Sequence, residues 1–296
     1  MTPKFPPLPS SLYFLSLNKA NQPHMNILQG GAPKCGNFWL YRIVREVLSR
    51  AGQPVPSFIE KQPIYGLAQQ WDLNYPSQAS IDVLDITDLQ CSYRISSIYR
   101  MPAEPLQAYV AQTDHVWTHS PICKRSEQVF RLFDRKLYII RDPRDRAVSA
   151  SRYYTSAYML KYFPQPETDP EQFLLKNFDR LLHEWTWHVF DHLRLKDSSG
   201  IHILFYEALL KDFQAELSRL LAYLGLELEA SVKQELGERL SFEHLKKENP
   251  KHLKTGRAGY WQEQLTEAQK ERAEVLAGPL MQYLGYSGGR GIPEVP

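Results

Sequence analysis

The sequence predicts a single α/β domain with a central parallel sheet flanked by helices and a P-loop-like strand–loop–helix site for phosphate. Three observations carry this. Apolar runs at 25–30, 114–118, 136–141 and 201–206 alternate with stretches of helical period. The first run enters the loop Gly30-Gly-Ala-Pro-Lys-Cys-Gly36 and then a helix. Helix N-termini offer backbone N–H groups and a favourable dipole to an anion, and Lys34 adds a point charge. The third run ends at Arg141, the end of a parallel strand where open α/β sheets bind ligands.

Each element follows in order. Leu40, Ile43, Val44, Val47 and Leu48 give Phe38 to Arg50 a helical period, and Gly52, Pro54 and Pro56 stop it. Residues 53–113 have few clean periods and many prolines, and read as short helices and loops over one end of the sheet. Strand 114–118 ends in Trp117-Thr-His-Ser-Pro121. Strand 136–141 breaks at Asp142-Pro143 into a helix that holds Ser149 about two turns in. Asp169-Pro170 starts a helix with Asp at N-cap and Pro at N1, running to about Leu195. A further amphipathic helix covers about Leu209 to Leu224 and ends at Gly225. Two more are expected at about 229–239 and 266–284. The domain is assigned to 23–286, between an extended Pro-rich tail at 1–22 and a C-terminal tail at 287–296.

Composition bounds the function. The chain has 296 residues, 43% hydrophobic and 23% charged, with net charge +2. That suits one large core and argues against a nucleic-acid partner. Local excesses of Arg and Lys at 141–152 and 246–257 fit a small phosphorylated ligand better. No apolar run reaches 18 residues, so no membrane span is expected. The scattered Cys35, Cys91 and Cys123 predict free thiols and a cytoplasmic location.

The loop departs from Walker A. Lys34 precedes Gly36 by two residues, and Asn37 stands where that motif has its Mg²⁺-binding hydroxyl. An anhydride whose transfer does not need that hydroxyl is suggested. Asp142 after an apolar strand mimics a Walker B aspartate, which keeps a P-loop kinase or NTPase as the alternative. His183, His188 and His192 with Glu184 tempt a metal reading. Their His-Glu-x-x-x-His spacing is one residue longer than the zinc-protease motif, so no metal is expected.

These motifs resemble the cytosolic sulfotransferase family, which transfers sulfonate from 3′-phosphoadenosine-5′-phosphosulfate (PAPS). Pro33, Lys34, Gly36, Trp39 and Leu40 match its Pro-Lys-Ser-Gly-Thr-Thr-Trp-Leu motif, while Cys35, Asn37 and Phe38 depart. Arg141, Pro143, Asp145 and Ser149 match its second motif, with Asp142 in place of Asn. Phe205-Tyr-Glu207, Leu240 to Lys246, and Lys254-Thr-Gly-Arg-Ala-Gly-Tyr-Trp261 continue the likeness, which covers about 25 to 285.

The resemblance implies roles. His119, in a match to Lys-Thr-His-x-Pro, is the expected general base, with its ordinary pKa of about 6.5 near working pH. Trp117 replaces that motif's lysine, so a cation is lost unless another basic residue supplies it. Lys34 would stabilise the leaving phosphate. The loop from Cys35 through Gly36, Asn37, Phe38 and Trp39 would hold the 5′-phosphate, with the Asn37 amide as one further donor. Arg141, Ser149 and Lys254, with Thr255 and Gly256, would hold the 3′-phosphate. Trp39, Tyr206 and Phe242 would frame the adenine. Adenosine 3′,5′-bisphosphate would be the product. The substitutions also keep open a catalytically inactive nucleotide-binding regulator.

A small-molecule acceptor is expected among the aromatic-rich loops 53–110 and 153–170, by default an alcohol or phenol. Asp72, Asp82, Asp85 and Asp88 leave room for a cationic amine. The family's dimer motif is matched at Thr266 and Glu271 only, so a monomer or weak homodimer is expected. A helix N-terminus beside Lys34 lowers a thiol's pKa, which would make Cys35 oxidant-sensitive, although an inert small residue is the preferred reading.

Overall fold

The computed structural model describes residues 25–53, 57–248 and 256–286. Seven strands form one sheet: β1 (Ile27–Gly30), β2 (Val83–Ile86), β3 (Cys91–Ile95), β4 (Tyr99–Pro102), β5 (His115–Thr118), β6 (Arg135–Ile140) and β7 (Ile201–Phe205). Their order is β4-β3-β2-β5-β1-β6-β7. The pairs β2–β5, β5–β1, β1–β6 and β6–β7 are parallel, while β2–β3 and β3–β4 are antiparallel. Ile27, Leu28, Val116, Leu137, Ile139, Ile140 and Leu204 are buried. Helices cover both faces of the parallel part, so its strands carry near-continuous apolar runs.

The four predicted strands are present. The reading of 53–113 as helices and loops needs correction, because β2, β3 and β4 lie inside it. They carry a signal. Cys91-Ser-Tyr-Arg-Ile95 alternates with period two, and Thr87-Asp-Leu-Gln90 makes the turn before it. The helix expected at 209–224 is two helices, Tyr206–Lys211 and Phe213–Leu224. Asp212 breaks the first and caps the second, its carboxylate accepting from the Ala215 N–H at 3.0 Å. The helix Pro170–Arg194 starts as expected, with Asp169 accepting from the N–H groups of Glu171 and Gln172. The helices Ala230–Arg239 and Glu267–Tyr283 lie within a residue of their predicted bounds.

Candidate active site

The site begins with a turn. The Cys35 N–H donates to the Ala32 carbonyl at 3.2 Å, with Pro33 and Lys34 between them. Lys34 sits at φ 73°, the third-residue conformation of a type II turn, which usually demands Gly or Asn. Holding a lysine there costs about 1–2 kcal/mol and aims its side chain off the sheet. Gly36 follows at φ 101°, and a Cβ there would stand 2.6 Å from the Tyr206 ring. The helix Asn37–Arg50 then starts with its N-terminus at the cavity wall.

Carbonyls of this loop are tied down by long-range partners. Arg146 donates to the Pro33 carbonyl at 3.0 Å, Arg141 to that of Lys34 at 3.4 Å, and Gln29 to that of Asn37 at 2.8 Å. Arg146 is 1% exposed, a buried cation whose work is to brace the phosphate loop. No local pattern around Arg146 points to that role.

Asn37 corrects one expectation. Its side-chain amide donates back into the loop, to the Ala32 carbonyl at 2.9 Å, so one of its two N–H groups braces the loop instead of facing a ligand. Cys35 follows the preferred reading of an inert residue and not the oxidant-sensitive one. It is fully buried, and desolvation pushes its thiol up to about 11, against the weaker pull of Arg146 and Arg141. Position at a helix N-terminus is outweighed by burial, so no reactive thiolate is present. The Cys35 side chain does not line the cavity, and its N–H is spent on the turn.

Gly36, Asn37, Phe38, Trp39, Arg141, Ser149, Tyr206, Phe242, Gly256, Lys34 and His119 all line one cavity of about 400 Å³. Lys254 and Thr255 lie outside the described residues. Trp39 stands edge-on to both Tyr206 and Phe242, at 5.5 and 6.0 Å between centroids. Its indole N–H donates to the Leu240 carbonyl at 2.7 Å. Gly256, at φ 62°, lies against the Phe242 ring so closely that a Cβ would collide with it.

Arg141 rests over the Tyr206 ring at 4.3 Å and reaches toward the Arg257 carbonyl at 3.5 Å. It is 6% exposed, and its Nε has no hydrogen-bond partner among the described residues. A buried guanidinium with a spare donor fits an anionic ligand. Its main chain is fixed by Trp185, whose indole donates to the Arg141 carbonyl at 2.9 Å. Asp145 clamps the C-terminal segment, accepting from the N–H groups of Gly259 and Trp261, each at 2.8 Å. Lys34 extends over the Tyr153 ring at 4.2 Å. Burial, then Arg141, lowers its pKa to about 8.

His119 follows β5. Its Nδ1 lies 2.6 Å from the Gly31 carbonyl. A carbonyl can only accept, so Nδ1 carries the proton and Nε2 keeps its lone pair. Burial lowers the His119 pKa to about 3, far below the 6.5 assumed from sequence. His188 supports the His119 backbone, its Nε2 lying 3.1 Å from that carbonyl, while the Tyr138 hydroxyl donates to His188 Nδ1 at 2.6 Å. His192 stacks on His188, and His183 is exposed. These histidines pack and position; among the described residues no group of His, Cys, Asp and Glu is arranged to hold a metal.

Asp142 is not a metal-binding aspartate. Its carboxylate caps the helix Pro143–Tyr154 and is held by the Arg144 guanidinium at 2.8 and 3.0 Å. The acids proposed for a cationic acceptor are also placed elsewhere. Asp82 accepts from Ser57, Phe58 and Ile59, Asp85 pairs with Arg94 and Arg100, Asp72 pairs with Lys161, and Asp88 accepts from Lys124. None lines the cavity. Trp117 is buried edge-on against His119 at 5.2 Å.

Comparison with known proteins agrees with this geometry. The family model described as sulfotransferase domain matches residues 26–285. A guinea pig (Cavia porcellus) 3-beta-hydroxysteroid sulfotransferase is 25% identical over 262 residues, covering 82% of this chain and 79% of its own. Human (Homo sapiens) sulfotransferase 1C2 is 29% identical over 158 residues, 47% of this chain and 52% of its own. The fold is similar to mouse sulfotransferase SULT7A1 complexed with PAP, with TM-score 0.59 and 17% identity over 90% of this chain and 87% of that one. It is also similar to retinol dehydratase in complex with androsterone and PAP, with TM-score 0.58 and 19% identity over 87% and 80% of the two chains.

Proposed function

Because the chain belongs to the sulfotransferase family, we propose that it moves a sulfonate group from PAPS to a hydroxyl or amine of a small molecule by in-line displacement, releasing adenosine 3′,5′-bisphosphate. One observation carries the proposal. A single cavity gathers a helix N-terminus, the buried Arg141, the half-buried Lys34 and a neutral histidine whose Nε2 has no partner among the described residues. When bound, PAPS supplies a sulfonate already activated by an anhydride bond to phosphate. The PAP found in the two similar folds supports that choice of donor.

The chain's own residues supply position and charge. The helix N-terminus at Gly36–Trp39 holds the 5′-phosphate. Arg141, with Ser149 and Gly256, holds the 3′-phosphate, and Lys254 and Thr255 adjoin Gly256 in sequence. Trp39, Tyr206 and Phe242 grip the adenine. Lys34 stabilises charge on the leaving phosphate. His119 Nε2 removes the acceptor's proton, and the Gly31 carbonyl keeps the ring in the tautomer that can accept it.

Titration of the protein in EDTA with adenosine 3′,5′-bisphosphate, set against ADP with Mg²⁺, tests the donor. Tight metal-independent bisphosphate binding and label transfer from ³⁵S-PAPS are expected; preference for ADP with Mg²⁺ overturns the proposal. Binding without transfer to any hydroxyl or amine would mark a nucleotide-binding regulator.

A pH dependence follows from Lys34. Its ammonium is present below about 8 and lost as pH rises through that value. A bound phosphate favours the charged form, so binding should take up protons near pH 8 and weaken above it. Calorimetry in buffers of different ionisation enthalpy reads the uptake, and Lys34→Met should abolish it.

A further inference from the structure

His119 divides the cavity. The donor side is built on β1, β6, β7 and the helix after β6, and carries Lys34, Arg141, Asp145 and Arg152. The other side is built on β2, β3 and the residues around Tyr75 and Met159. There, Arg94 is the one charged residue among the described lining residues. Val83 pairs with both Trp117 and Arg94, so the three side chains stand in a row on one face of the sheet. Two strand spacings, about 9–10 Å, separate Arg94 from the strand that ends at His119.

Arg94 is held but not used up. Its Nε donates to Asp85 at 3.0 Å and its Nη1 to the Ser96 carbonyl at 2.6 Å. Its Nη2 makes no hydrogen bond among the described residues. Asp85 is shared with Arg100 at 2.7 Å, so one carboxylate faces two guanidinium groups and the wall stays positive. Gln78 adds an amide beside it, donating to the hydroxyls of Ser96 and Tyr158 at 3.0 and 3.1 Å. Burial is the main cause of the lowered His119 pKa, and the Arg94 charge adds to it, which puts Arg94 within electrostatic reach of the reacting end.

We propose that Arg94 selects an acceptor bearing a carboxylate at the end remote from its reactive hydroxyl. This rests on the sulfotransferase function proposed above and names its substrate class. The hydroxyl lies at His119, an aromatic or aliphatic body spans Trp117 and Val83, and the carboxylate meets the spare Arg94 donors.

The test compares 3-(4-hydroxyphenyl)propionate with its primary amide, titrated into protein saturated with adenosine 3′,5′-bisphosphate. Wild type should bind the acid about 10-fold or more tightly than the amide, as expected of charge-assisted hydrogen bonds. Arg94→Gln should equalise the two, chiefly by weakening the acid, and Arg94→Lys should keep part of the preference. Asp85→Asn removes the competing carboxylate and should increase the preference, which tests Arg94 without deleting it. In turnover with PAPS, the ratio of kcat/KM for acid over amide should follow the same order. Equal binding in wild type, a ratio that survives Arg94→Gln, or no acid binding to the bisphosphate-loaded protein overturns the inference and leaves the donor assignment standing. Failure to bind bisphosphate overturns the donor assignment instead, and the same acid–amide comparison on the nucleotide-free protein then decides Arg94 alone.

Discussion

Replacing His119 with Ala should lower kcat by about 10²–10⁴-fold, the usual contribution of a general base, while bisphosphate affinity changes less than about twofold. Stopped-assay rates with saturating PAPS and a calorimetric titration measure the two quantities. The split matters because the His119 ring lines the cavity, and among the described residues its ring is held only by the hydrogen bond to the Gly31 carbonyl. A purely structural histidine would lose both together. The pH profile gives a second reading. With its pKa lowered to about 3, the imidazole of the free enzyme stays neutral down to about pH 4. Activity should therefore show no fall through pH 6.5 from protonation of His119. A limb at 6.5 that vanishes in His119→Ala would show that the ring is solvated and not buried as described.

Arg141→Ala should weaken adenosine 3′,5′-bisphosphate binding by about 100-fold or more, because hydrogen bonds to a charged partner are worth about 1.5–3 kcal/mol each and a guanidinium can make two. Arg141→Lys should recover only part, since an ammonium keeps the charge but not the fork. The truncation also removes the tie to the Lys34 carbonyl, so the melting temperature must be followed in parallel. A folded Arg141→Ala protein with wild-type affinity would place the 3′-phosphate elsewhere.

Much of this was written in local pattern. The four parallel strands are apolar because both faces of a parallel sheet are buried, and such runs stand out in a sequence. Caps such as Asp169-Pro170 are local chemistry and were found to the residue. β2, β3 and β4 were not, because they are short, mix polar with apolar residues and lie among turn residues and prolines, so no long apolar run marks them. The same limit applied to side chains. Motif spacing singled out Lys34, Arg141 and His119, which line one cavity, but burial moved the His119 pKa far from the ordinary value assumed and left Cys35 the inert residue preferred from sequence.

The sequence by itself determined the α/β class and the strand–loop–helix at Gly30–Trp39, because strand period, turn chemistry and helix caps act over a few neighbours. Only the tertiary structure decided which groups are spare. Arg146 is shared among the Pro33 and Leu181 carbonyls and Glu184, the Asn37 amide donates to Ala32 and Asp142 is held by Arg144, whereas Arg94 and Arg141 each keep a donor without a partner among the described residues. Hydrogen-bond capacity is finite and is allotted by whichever groups the fold brings together, from two residues apart, as for Asp142 and Arg144, to more than a hundred, as for Arg146 and Pro33, so what remains for a ligand is a property of the packed chain.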